Sequence, residues 1–167
     1  MTSVRQRAID GIKPGDTFTV TRTFWAEDTQ ALGDLIRDYN PVHYDERFSA
    51  SWGFRERICH GLLTGGMLCE IGGQIGWLAT TMSFTFRTPV YFGETIRCTL
   101  TITDVDERSF ARARAVFTNP VGEPVVEARL EGFLPRESER RVLAAMLSEG
   151  DPTNRAAGAV SGGPEPT

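Results

Sequence analysis

Residues 61–79 constrain the fold more than any other part of the chain. Leu62, Leu63, Met67, Leu68, Ile71, Ile75 and Leu78 cover more than one face of a helix, so the segment must be surrounded rather than laid on a surface. Gly65, Gly66, Gly72, Gly73 and Gly76 interrupt it. Each glycine costs about 1 kcal/mol relative to alanine inside a helix, and close backbone packing is the compensation. A membrane span is the other way to bury such a run. Glu70, Gln74 and the glycines leave its lipophilic part short of the roughly 20 residues a span needs.

What surrounds the helix is written in the strand-like segments. Residues 17–25 are rich in Thr, Phe and Val after the turn Pro14-Gly15-Asp16. Met82, Phe84 and Phe86 alternate with Ser83, Thr85 and Arg87, and residues 95–105, 110–118 and 125–133 read as further strands. Asn119-Pro120-Val121-Gly122 marks a hairpin turn between the last two. Between the first strand and the buried helix, Asp28 is the expected N-cap of a short amphipathic helix carrying Leu32, Leu35, Ile36 and Tyr39, stopped by Pro41. Residues 44–60 show no periodicity and read as a long connection. This order predicts an α+β domain, a single antiparallel β-sheet wrapped around a long buried helix, which is the hotdog architecture. Residues 1–14 read as an N-terminal extension, 15–147 as the domain, and 148–167, small and polar with Gly and Pro, as a disordered tail.

With 40% hydrophobic and 24% charged residues among 167, one globular domain is expected. The net charge of −4 argues against a nucleic-acid surface. Cys59, Cys69 and Cys98 lack metal-ligand spacing and read as reduced thiols, most of them buried. The N-terminus has no apolar stretch behind its charges, so the expected location is the cytoplasm.

The chemistry is concentrated in Asp38-Tyr39-Asn40-Pro41-Val42-His43, followed by His60-Gly61-Leu62. Both histidines of the chain lie here. Asp38 alone reads as a solvated carboxylate, yet it falls at a helix C-terminus, where the dipole disfavours negative charge by a few tenths to about 1 kcal/mol. Paired with His43, which exchanges protons near neutral pH, it forms an acid/base pair able to hold and activate a water. Asn40 and Pro41 set the turn, and His60 is expected to orient the loop. No compact ligand spacing supports a metal.

Asp38-Tyr39-Asn40-Pro41-Val42-His43, Arg57, His60-Gly61-Leu62 and residues 83–90 resemble the MaoC-like (R)-specific enoyl-CoA hydratases over roughly residues 15–135. The resemblance implies a hotdog homodimer. It also implies reversible addition of water to a trans-2-enoyl thioester by an Asp38/His43 dyad, with no cofactor beyond the CoA or acyl-carrier-protein (ACP) thioester of the substrate. The Gly61 N–H, at the start of the buried helix, is assigned to the thioester carbonyl. Arg47, Arg55, Arg57 and Arg87 are candidate CoA-phosphate contacts, and Leu63, Met67 and Trp77 candidate walls of the acyl pocket. The same fold also serves 3-hydroxyacyl-ACP dehydratases, acyl-CoA thioesterases and non-catalytic acyl-binding subunits, and these readings stay open.

Overall fold

The computed structural model describes residues 4–155. Five antiparallel strands form one sheet in the order β1-β3-β4-β5-β2: β1 (Thr17–Thr23), β2 (Leu78–Phe86), β3 (Thr95–Val105), β4 (Phe110–Thr118) and β5 (Pro124–Phe133). Alternation assigns the faces. Ile96, Cys98, Leu100, Ile102, Ala111, Ala113, Ala115, Phe117, Val126, Ala128 and Leu130 point into the core, where they meet Met67, Leu68, Ile71 and Ile75 of the enclosed helix. The opposite face is polar and rich in Thr and Arg. The expected hairpin is present, with Gly122 at φ 85° donating to the Asn119 carbonyl. No helix among the described residues is long and apolar enough to cross a membrane.

Several elements differ from the expectation. The buried helix is two pieces, α4 (Gly61–Gly65) and α5 (Met67–Ile75), joined at Gly66. It stops at Gly76, in the left-handed conformation at φ 67°, so Leu78 opens β2 instead of closing the helix. The preceding helix α2 (Ala26–Ile36) starts earlier than Asp28, whose carboxylate reaches back 2.8 Å to the Trp25 N–H from the third helical position. It ends at Arg37, also left-handed, which places Asp38 just past the helix. Its apolar stripe is uncovered: Leu35 is 81% exposed and Tyr39 56%, while Thr29 and Gly33 are the buried positions.

Residues 44–60 hold a short helix α3 (Glu46–Ser51), nucleated by the Asp45 carboxylate, which accepts the Arg47 and Phe48 N–H groups. Helix α1 (Val4–Asp10) lies in the expected extension, and α6 (Glu137–Ser148) follows β5; the two pack on each other. In the described part of the expected tail Asp151 is buried against Arg5, while most of its neighbours are exposed. Residues 156–167 lie outside the described residues.

Candidate active site

Asp38, His43 and His60 converge although they come from three separate turns of chain. Their donor atoms lie within 4.8 Å of one another. Local turn chemistry builds this. The Asn40 N–H donates to Asp38 Oδ1 at 3.2 Å and Asn40 Oδ1 accepts the Val42 N–H at 3.3 Å. Pro41 then opens a single 3₁₀ turn, Pro41–His43, that swings the imidazole inward. Asn40 and Pro41 shape the turn between Asp38 and His43.

The main chain fixes both imidazoles. His43 Nδ1 lies 2.8 Å from the Ile58 carbonyl. A carbonyl only accepts, so Nδ1 carries the proton and Nε2 holds the lone pair of the neutral ring. Burial pushes the His43 pKa below its ordinary 6.5, outweighing the Ile58 hydrogen bond that favours the charged form; His60 adds to the lowering and Asp38 opposes it. His43 is thus a neutral base at pH 7. His60 is 1% exposed and donates from Nε2 to the Asp38 carbonyl at 3.0 Å, with Asp38 Oδ2 at 3.6 Å. The two rings overlap, with centroids 3.9 Å apart. The expected loop-orienting His60 thus contacts Asp38 through both its carbonyl and its carboxylate. Each ring spends one nitrogen on a carbonyl, which fixes its orientation and leaves its other nitrogen free.

From the sequence Tyr44 reads as packing or pocket wall rather than chemistry. Its hydroxyl donates to the Asp38 carbonyl at 3.2 Å and approaches the Thr29 carbonyl at 3.4 Å, so Asp38 is anchored by two donors. Gly33 makes this contact feasible, because a Cβ there would overlap the Tyr44 hydroxyl. The spacing Gly33-Asp38-Tyr44 carries no motif, and only the fold reveals it.

A cavity of about 450 Å³ opens onto this cluster. Asp38, His43, His60 and Gly61 form its polar end, and Phe54, Ile58, Leu62, Phe86, Val90 and Val126 its apolar walls. Gly61 opens α4 directly beneath Phe86, and a Cβ there would stand 2.7 Å from that ring. Leu63, Met67 and Trp77, expected in the pocket, pack instead toward the core; Met67 is 2% and Trp77 8% exposed. The phase of α4 turns Leu62, not Leu63, to the cavity. A second cavity of about 220 Å³, lined by Thr29, Tyr44, Arg57 and Phe92, touches the other side of His43.

The four candidate arginines separate. Arg47 is tied to Asp45 at 2.5 Å, and Arg55 pairs with Glu94 at 3.0 Å while stacking on Tyr91. Neither lines the larger cavity. Arg57 lies over Phe92 in the smaller cavity, and Arg87 lines the larger one. The buried thiols Cys59 and Cys98 are pushed up to about 12 by burial, whereas Cys69 is exposed.

A family model described as "MaoC like domain" matches residues 12–123. The chain belongs to the MaoC-like domain family. Among relatives, an (R)-specific enoyl-CoA hydratase of Rhodospirillum rubrum is 29% identical over 131 residues, covering 75% of this chain and 90% of the relative. A mitochondrial 3-hydroxyacyl-[acyl-carrier-protein] dehydratase of Arabidopsis thaliana is 36% identical over 87 residues, covering 51% of this chain and 52% of the relative. The solved structure of an (R)-hydratase from A. caviae involved in PHA biosynthesis superposes with a TM-score of 0.70 at 25% identity, covering 75% of this chain and 98% of that one. The hotdog architecture expected from the sequence is the fold of this MaoC-like chain.

Proposed function

We propose that this MaoC-like chain is a hydro-lyase that reversibly adds water to a trans-2-enoyl-CoA, giving the (R)-3-hydroxyacyl-CoA. The observation that carries the reading is the neutral His43, its Nδ1 proton committed to Ile58, grouped with the Asp38 carboxylate and His60 at the end of an apolar cavity. Between donor atoms within 4.8 Å of each other, one water can be held by two hydrogen bonds. The dyad takes a proton from that water as its oxygen bonds to the β carbon, and a proton is returned to the α carbon, so the thioester gains one H₂O and no leaving group departs. Negative charge builds on the thioester oxygen during attack, and the Gly61 N–H at the start of α4 is the donor we assign to it. The names of the Rhodospirillum and A. caviae proteins agree with this chemistry.

A second copy of the chain is the partner we assign. Strand β2 is an edge strand of nine residues, and Leu78, Met82 and Phe86 on it are 69%, 40% and 51% exposed. A long edge carrying apolar side chains is a template for strand pairing. Leu62, 59% exposed and lining the cavity, adds a further apolar side chain beside it.

The test is loss of the enoyl-thioester absorbance with crotonyl-CoA and longer homologues, with free thiol assayed in parallel. Wild type consumes the enoyl band without releasing thiol. Asp38→Asn and His43→Ala each lose roughly 10²- to 10⁴-fold in kcat while remaining folded. Thiol release indicates a thioesterase instead. The Arabidopsis relative supports an acyl-carrier-protein dehydratase as the second reading; activity on carrier-protein thioesters with none on CoA thioesters selects it.

A further inference from the structure

The outward face of the sheet carries an arrangement that stability alone does not explain. Arg114 on β4 and Arg129 on β5 are directly opposite in the ladder, and Ser83 on β2 stands opposite Arg129, so two guanidinium groups share one row. Like charges facing each other across strands are destabilising. Neither side chain has a hydrogen bond or carboxylate partner among the described residues, while their neighbour Arg112 on the same face is held by both Asp104 and Glu131. In a chain of net charge −4, two adjacent unneutralised arginines are a local exception of the kind expected where a ligand supplies the missing charge.

These residues line a groove of about 460 Å³ with Ser83, Thr85, Val116 and Glu127, and Arg87 closes its near end. Arg87 lines the reactive cavity as well, so the two depressions meet at this residue, where β2 ends. Arg87 itself is neutralised by Glu127 at 2.6 Å, which leaves the unbalanced positive charge at the far end of the groove. Arg87 lies four positions beyond Ser83 along the chain, about 13 Å at the usual rise of extended backbone. An extended pantetheine arm spans a distance of that order.

Resting on the hydratase reading, we propose that this outer-face groove binds the phosphorylated end of the CoA thioester, with Arg114 and Arg129 as its phosphate contacts and Ser83 and Thr85 as hydroxyl donors along the arm. The acyl group lies in the apolar cavity, the arm turns around the C-terminal end of β2 at Arg87, clear of the paired edge, and the phosphates reach the arginine row. A groove of this volume suits a small molecule, and paired guanidinium groups suit phosphate oxygens. Glu127 stays with Arg87 and keeps anions from settling at the bend.

The experiment compares wild type with the Arg114→Gln/Arg129→Gln double variant in two assays. Calorimetric titration with free CoA, and separately with pantetheine, reads binding without any need for turnover. Steady-state rates with crotonyl-CoA and crotonyl-pantetheine read the same site during the reaction. Expected are about tenfold weaker CoA binding, a similar rise in KM for crotonyl-CoA with kcat unchanged, and no change for either pantetheine compound. Arg97→Gln, on β3 of the same face, leaves every value unchanged. Unaltered CoA binding in the folded double variant overturns the groove assignment, as does an equal loss with Arg97→Gln, which indicates diffuse charge only. Wild type that binds CoA through these arginines but does not hydrate crotonyl-CoA keeps the groove and removes the hydratase reading.

Discussion

One main-chain atom sets the chemistry of His43. The Ile58 carbonyl can only accept, so it commits the Nδ1 proton and leaves Nε2 basic, while burial lowers the pKa beneath 6.5. A base with a lowered pKa remains deprotonated as the pH falls through 6.5 and is lost only further down. The acid limb of kcat/KM on crotonyl-CoA should therefore lie below pH 6.5. A limb centred at or above that value contradicts the neutral-base role. Tyr44 provides a second test at this scale. Tyr44→Phe removes one of two donors to the Asp38 carbonyl, a neutral hydrogen bond whose net worth is about 1 kcal/mol. The expected result is a fall in kcat of up to about tenfold with KM little changed. Gly33→Ala, which drives a methyl group into the Tyr44 hydroxyl, should do at least as much damage. Full activity in both variants removes Tyr44 from the positioning of Asp38.

Among elements, the strands were the most legible and the helices the least. Residues 95–105 and 110–118 match β3 and β4 because alternation leaves one phase for a half-buried strand, and the intervening turn is closed by Asp106, which accepts the Arg108 and Phe110 N–H groups. The Asp38–His43 cluster was legible because Asn40 and Pro41 act through local turn chemistry. The acyl pocket was not. Leu62 and Leu63 are equally apolar, and which of them meets the cavity depends on the rotation of α4 under Phe84 and Phe86, a tertiary fact set by the close approach of that strand at Gly65 and Gly61. The sequence shows the α2 stripe as an amphipathic pattern, but periodicity reports an apolar face without naming what covers it. A second chain paired along β2 would account for the exposed Met82. Met82→Asp should shift the species seen by sedimentation velocity from dimer toward monomer and reduce activity with it. A wild type that sediments as a monomer ends the pairing assignment.

At the scale of the whole molecule, the two ends of the described chain are tied through the helical side of the fold. Arg5 of α1 donates to the Thr153 carbonyl and hydroxyl at 3.2 Å each and faces Asp151 at 3.6 Å, both charged side chains being fully covered. Gln74 of α5 donates to the same Thr153 carbonyl at 3.2 Å, so the segment read from composition as a loose tail is pinned to the central helix. A short polar stretch with Gly and Pro gives no local sign of this, because every partner is distant in sequence. Thr153 supplies the strongest influence on Asp151, donating to its carboxylate from both hydroxyl and N–H, with Arg5 contributing further, and the carboxyl is held below its usual 3.8. A folded-state value below the unfolded one adds stability above about pH 4 that disappears as the pH falls through the lowered value. Asp151→Asn should therefore lower the melting temperature most at pH 7, and the gap to wild type should narrow steadily on acidification below pH 4. A gap that stays constant across that range means that the tie rests on packing and neutral hydrogen bonds, and that the Arg5–Asp151 charges contribute nothing to holding the termini together.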